Sequence, residues 1–281
     1  MPRVRLDGGV VGKVNNPTAS AAGGMWSFKE HEKYSRSSLW PAASTGAPVD
    51  SYFNYNAILL HGNGTNAANN TVFVDGSTNA YTLTTNGRPL QGTFSPFSQT
   101  GWSNYFNGSS DYIVTPAGSS SLFEMGSGDY TVEFWFYALS NSDGGLVFKG
   151  LYQSGATWQP GFGVRRLSAT QLRFTFNTSG SAAGEKNYDY TTTTNTNQWY
   201  HVAMVVSGGV GYAYVNGTLA NPGGLASIGT ITASSTGITV GAFPYNLGYI
   251  YFNGYIDDVR ISRYARYTTN FTPPTSTFLD R

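Results

Sequence analysis

Tyr130-Thr131-Val132-Glu133-Phe134-Trp135-Phe136-Tyr137 is the stretch on which the fold turns. Tyr130, Val132, Phe134 and Phe136 fall on one side of an extended chain, and Thr131, Glu133, Trp135 and Tyr137 on the other. That period of two is the mark of a strand with one face turned to a core. Leu172-Phe174-Phe176 and Tyr200-Val202-Met204-Val206 repeat it. Between Tyr212 and Leu219 the chain carries Asn216-Gly217, a pair that fits a type I′ turn and predicts a hairpin. A second pair, Asn253-Gly254, sits between Tyr251-Phe252 and Tyr255-Ile256. From about Ser51 onward there are a dozen or more candidate strands and no helical period longer than two turns. The expected fold is all-β: a two-sheet antiparallel jelly-roll sandwich occupying residues 48–281.

Composition agrees. Of 281 residues only 11% are charged, while 15% are aromatic and 35 are Gly. Gly, Ser, Thr and Asn stand where charge would be, which suits strands and tight turns better than helices. The formal net charge of +1 offers nothing to a nucleic acid. Arg260, Arg263 and Arg266, the nearest approach to a basic cluster, read as a solvated edge. The absence of cysteine excludes disulfides, thiolate zinc sites and thiol nucleophiles. No apolar run is long enough to span a membrane, and no apolar signal follows the basic N-terminal residues. An export-style composition without an export signal suggests release by lysis, as for a virion component.

Residues 1–47 differ from the rest and read as an N-terminal docking arm. Ser27-Phe28-Lys29-Glu30 is a capping box, predicting a short helix to about Ser37 or Ser38 that Trp40-Pro41 ends. Trp26, Phe28 and Trp40 are the candidate anchors by which the arm would bind other virion proteins. The alternative is an arm folded back on its own sandwich.

Three segments, taken in order, resemble the laminin-G-like branch of the concanavalin A-like jelly rolls. They are Phe106-Asn-Gly108-Ser-Ser-Asp111-Tyr112 leading to Gly128-Asp129-Tyr-Thr-Val-Glu133-Phe-Trp135; Gln198-Trp199-Tyr200-His201 followed by Tyr212-Ala-Tyr-Val-Asn216-Gly217; and Phe252-Asn-Gly254-Tyr-Ile-Asp257-Asp258-Val-Arg260-Ile261 followed by Arg266 to Pro274. The run ending Phe271-Thr-Pro-Pro is similar to such domains in bacteriophage structural proteins, and Gly24 to Pro41 resembles N-terminal segments of phage virion proteins. The resemblance implies a virion location, a tail fibre or receptor-binding appendage, a homo-oligomer, and binding of a sugar, a protein or a structural calcium ion. A capsid decoration protein without a ligand site, and a bacterial carbohydrate-binding adhesion module, are the alternatives.

Three chemistries bear on these residues. Jelly-roll glucanases use Glu-x-Asp-x-x-Glu, and none of Glu30, Glu32, Glu124, Glu133 and Glu185 sits in that pattern. His201 lies in an apolar strand, where a packed ring is expected, and no enzyme activity is expected. For calcium, the resemblance points to Asp257, with carbonyls from about Leu60–Gly62 and the turn near Gly108 as partners. A carboxylate receiving backbone N–H groups, or paired with an arginine, is the equal alternative, with Asp258 turned outward toward Arg260. For a host-surface glycan, aromatic rings stack on pyranoses. Trp158, in the loop Tyr152–Phe162, and Tyr245 and Tyr249, in the loop Phe243–Tyr251, are the candidate ligand-binding residues. The alternative is that these rings pack loop to sheet or lie in a subunit contact.

Overall fold

The alternating stretch becomes β6 (Tyr130–Ala138), near the middle of an antiparallel sheet. A computed structural model describes residues 48–65, 68–116, 122–150, 161–177, 184–231, 236–245 and 248–281. The expected arm, with Trp26, Phe28 and Trp40, lies outside the described residues, and so does Trp158.

Among the described residues the first sheet has eight strands. Its order is β13 (Thr218–Leu219), β12 (Val210–Val215), β11 (Trp199–Ser207), β6, β17 (Asn253–Ser262), β4 (Trp102–Asn107) and β3 (Leu90–Thr93). β1 (Asn56–Leu60) also pairs with β17, on the side that β4 occupies further along. The second sheet has seven strands: β10 (Glu185–Thr191), β9 (Gln171–Asn177), β8 (Gly161–Ser168), β7 (Gly144–Lys149), β14 (Ile238–Val240), β5 (Tyr112–Val114) and β2 (Thr84–Asn86). The two inner faces meet in one core, where Phe106, Phe134, Phe136, Phe162, Phe174 and Phe176 are all fully buried. Each such ring stabilises the sandwich by about 1.5–3 kcal/mol through burial. The all-β, two-sheet expectation holds.

Asn216-Gly217 turns the β12–β13 hairpin as expected, with both residues at positive φ (48° and 74°). Asn253-Gly254 does not turn the chain. It opens β17, and a Cβ on Gly254 would strike the carbonyl oxygen of Tyr137. The close approach of two strands, not a reversal, requires that glycine.

The outer face of the eight-stranded sheet is roofed by the chain beyond β17. Tyr267 and Phe271 stack on one another at 3.5 Å, and Phe271 meets His201 and Tyr214 edge-on. Further on, Phe278 is buried with the Arg260 guanidinium 3.6 Å from its ring centre. The path ends at Arg281, whose carbonyl accepts the Asp50 N–H at 2.7 Å.

Beneath this roof lies a charge cluster that corrects the reading of the arginines as a solvated edge. Arg260 donates to Glu133 from Nε at 2.9 Å and from Nη2 at 2.8 Å, and Tyr267 Oη donates to the other Glu133 oxygen at 2.7 Å. Arg266 pairs with Asp50 at 2.8 Å. Arg260 is buried, Arg266 is half-buried with its side chain 8% exposed, and Arg263 alone of the three is exposed. Burial opposes the Glu133 charge, but Arg260 foremost and then His201 hold its carboxyl down at about 2.

Candidate functional site

Two places carry the expected site residues. The first is the bulge in β17, where its neighbour changes from β4 to β1. The register shifts between Asp257 and Arg260, and Asp258 takes φ 47°. This local twist turns both carboxylates inward, so Asp258 is buried and not outward as expected. Asp258 accepts from His61 Nδ1 and from the Phe278 N–H at 2.9 Å, while His61 Nε2 meets Asp280 at 2.9 Å. Asp257 accepts the N–H of Asp258 at 2.9 Å and is also held by the Gly62 N–H. Its carboxyl is pushed well up, by burial first and by the neighbouring Asp258 charge second. Of the two readings left open by the sequence, N–H acceptance is the one this geometry displays. Among the described residues no group of three or more acidic, histidine or cysteine side chains could hold a metal ion, which leaves the expected arrangement of one carboxylate with backbone carbonyls as a separate case.

The second place is a cleft of about 360 Å³ on the outer face of the seven-stranded sheet. It is built from strand alternation. In β9, Leu172, Phe174 and Phe176 point into the core, which sends Arg173, Thr175 and Asn177 outward to line the cleft. β10 adds Glu185, and β8 adds Arg165. The wall is a hairpin, β15 (Ala242–Tyr245) and β16 (Gly248–Tyr251), which replaces the loop expected at Phe243–Tyr251. It crosses the sheet at Gly145, where a Cβ would strike the Phe243 backbone, so only glycine lets it seat. Phe148 lies over Gly163 and packs against Phe243, ring centres 4.4 Å apart. Tyr245 follows at 5.8 Å from Phe243, lines the cleft and is 38% exposed.

The polar groups are held in fixed directions. Arg165 donates from Nε to Asp143 at 2.7 Å, and its guanidinium carbon sits 5.0 Å from the Phe243 ring centre. Arg173 grips Asp189 through two bonds of 2.6 and 2.7 Å. Thr175 donates to Asn187 at 2.7 Å. Lys149 is buried at the end of the cleft, and burial, partly offset by Glu124, brings its pKa down to about 8.

The expected ligand residues therefore divide. Tyr245 lines the cleft. Tyr249, on the paired strand, stands on the other side of the hairpin, stacked on Tyr112 at 4.5 Å, and does not line it. Arg165, Arg173, Thr175, Asn177 and Glu185 were not singled out from sequence. Their signal was the polar half of the β9 alternation, whose apolar half had been read.

The family profile described as the concanavalin A-like lectin/glucanases superfamily matches residues 107–269. No curated protein sequence matches the chain. Among solved structures it is similar to the binding domain of botulinum neurotoxin DC in complex with SialylT, at 14% identity and a TM-score of 0.53, covering 76% of this chain and 49% of that one. It is also similar to the receptor-binding domain of the mosaic C/D neurotoxin bearing tetraethylene glycol and sulfate, at 16% identity and a TM-score of 0.55, covering 77% and 49%. A third is a botulinum neurotoxin type C structure from work on its dependence on two ganglioside molecules, at 14% and 0.54, covering 76% and 49%. The chain spans about half the length of each, and at these identities the likeness shows the fold.

Proposed function

This chain belongs to the concanavalin A-like lectin/glucanases superfamily, and we propose that it is a glycan-binding module displayed on a phage virion, as a tail fibre or receptor-binding appendage. The observation that carries the glycan reading is the cleft, where the exposed ring of Tyr245 stands beside preorganised Arg165, Arg173, Thr175 and Asn177. A pyranose offers an apolar C–H face and a rim of hydroxyls. Tyr245 takes the first by stacking, and the guanidinium N–H groups with the Thr175 hydroxyl take the second. Because Asp143 and Asp189 already fix the arginines, little side-chain entropy is lost when sugar arrives. Single contacts of this kind are weak, and copy number on a particle makes them strong.

Sialylated and ganglioside ligands are named for the neurotoxin domains, and the shared fold lends that analogy to this chain. The virion setting rests on the phage-like segments near Phe271 and in the arm, together with the low-charge, cysteine-free composition. In that setting Trp26, Phe28 and Trp40 would dock the arm to other virion proteins, and symmetric homo-oligomers would supply the copies.

Binding of the full chain to host cells and a surface-glycan panel tests the reading. Saturable binding should weaken by about tenfold in Tyr245→Ala while the fold is retained, a loss typical of one stacking platform. No binding to any glycan would favour a decoration protein. Calcium at Asp257 is a separate proposal, drawn from the family resemblance. It predicts that EDTA lowers the melting temperature and that calcium restores it, and an unchanged melt would count it out.

A further inference from the structure

We infer that β10 is a self-pairing edge, through which two copies of this chain join their seven-stranded sheets into one about a two-fold axis at Tyr188. The two large sheets have four ends in the strand order, and three of them are short or covered. β13 has two residues, and the Asn270 side chain takes its Leu219 N–H at 2.8 Å. β3 gives its Gln91 N–H to the Asn70 carbonyl at 3.1 Å, and β2 has three residues. β10 differs. It runs beside β9 for seven residues without a bulge, a proline or a glycine, and among the described residues no strand meets its other side.

Edge strands are commonly guarded by charges that turn a visiting strand away. In β10 the side chains are instead drawn back onto their own molecule. Lys186 donates to the carbonyls of Ala226, at 3.2 Å, and Ser227, and Tyr188 Oη donates to that of Ala220. Asn187 accepts from Thr175 and donates to Glu185, while Asp189 is held by Arg173. What stays open is backbone. The Thr192 N–H reaches the Thr170 carbonyl at 3.0 Å and continues the β9 ladder, so alternation turns the N–H and C=O of Glu185, Asn187, Asp189 and Thr191 outward.

The order of residues in β10 fits a second copy of itself. A two-fold axis perpendicular to the sheet keeps both cores on one side. The period of two then allows only registers in which opposed residues are both odd-numbered or both even-numbered. Centring on Asn187 sets Glu185 against Asp189 twice, and centring on Asp189 sets that carboxylate against itself. Centring further out, on Lys186 or Tyr190, leaves only three residues of each strand paired. Centring on Tyr188 pairs all seven: Glu185 with Thr191, Lys186 with Tyr190, Asn187 with Asp189, and Tyr188 with its own copy. No like charges meet, every outward N–H and C=O finds a partner, and each Asn187 amide faces a carboxylate. The same axis leaves the two clefts, each lined by Arg173, Thr175 and Glu185, open on one face of the joined sheet. On the glycan reading, that makes the pair a two-site binder.

Sedimentation velocity of the full chain over a range of concentrations tests this and should show association into dimers. Asn187→Asp should raise the dissociation constant at least about tenfold, because it opposes two pairs of carboxylates, and adding Asp189→Asn should restore most of the loss. The chain has no cysteine, so Tyr188→Cys supplies a lone thiol that meets its copy at the axis. Oxidation with copper phenanthroline should cross-link that variant. Thr191→Cys, opposed to Glu185 and remote from its own copy, should stay uncross-linked. A monomer at every concentration, oligomers that Asn187→Asp leaves intact, or no cross-link at Tyr188→Cys would each overturn the inference. None of these outcomes bears on sugar binding by a single cleft.

Discussion

On the outer face of the eight-stranded sheet, His201, Tyr214 and Glu133 lie under Tyr267 and Phe271, while on the outer face of the seven-stranded sheet Asn187 and Asp189 meet solvent. Both faces carry arginine–carboxylate pairs, and the difference lies in what covers them. Arg260 and Glu133 are sealed beneath the chain beyond β17, where their charges cannot be screened and every partner is fixed. Arg173 and Asp189, each about one-third exposed, share their interaction with water. The same chemistry therefore serves the fold on one side and is left for a ligand on the other.

Substitutions should separate the two faces. The largest effect is expected for Arg260→Met, which strands the Glu133 carboxylate in the interior. Denaturant unfolding should show a loss of about 3–5 kcal/mol. A loss under about 1 kcal/mol would mean that water reaches Glu133 and the face is not sealed.

An intermediate effect belongs to the clasp of His61 between Asp258 and Asp280. Burial opposes the charged ring, but the Asp258 bond foremost, then Asp280, lift its pKa from 6.5 to about 9. The folded chain holds this proton more tightly than the unfolded chain. The stabilisation is therefore whole below the unfolded value and lost as pH rises through the folded one. Unfolding free energy should fall over that interval by roughly 3 kcal/mol at most. His61→Gln should flatten the dependence, and an unchanged slope would place the titration elsewhere.

The smallest effect is expected for Arg173→Ala on the open face, under about 1 kcal/mol in the same unfolding measurement. A cost as large as that of Arg260→Met would make the cleft a structural element and erase the contrast.

Local pattern carried much of the fold. The alternations in β6, β9 and β11 and the Asn216-Gly217 turn are set by neighbours in sequence, so they were legible. Arg260 and Asp258 were misread because their partners, Glu133 and His61, stand 127 and 197 residues away, and no short-range signal distinguishes a buried pair from a solvated edge. Asn253-Gly254 was ambiguous for a related reason, since the Tyr137 carbonyl that demands its glycine belongs to another strand. At the cleft, Tyr245 could be found as an aromatic between strands. Arg165 and Glu185 come together only through strand order, and Tyr249 is carried off by a hairpin whose crossing depends on Gly145.

The contact of Asp50 with Arg281 bears on how the sandwich would carry load. A pull transmitted through the chain preceding Asp50 reaches its hydrogen bond to the Arg281 carbonyl and its ion pairs with Arg260 and Arg266 before it reaches any strand. Those pairs are anchored in turn to Glu133, at the middle of the eight-stranded sheet. Tension entering at residue 50 is thus shared between the central strand β6, through these side chains, and β1, which begins at Asn56.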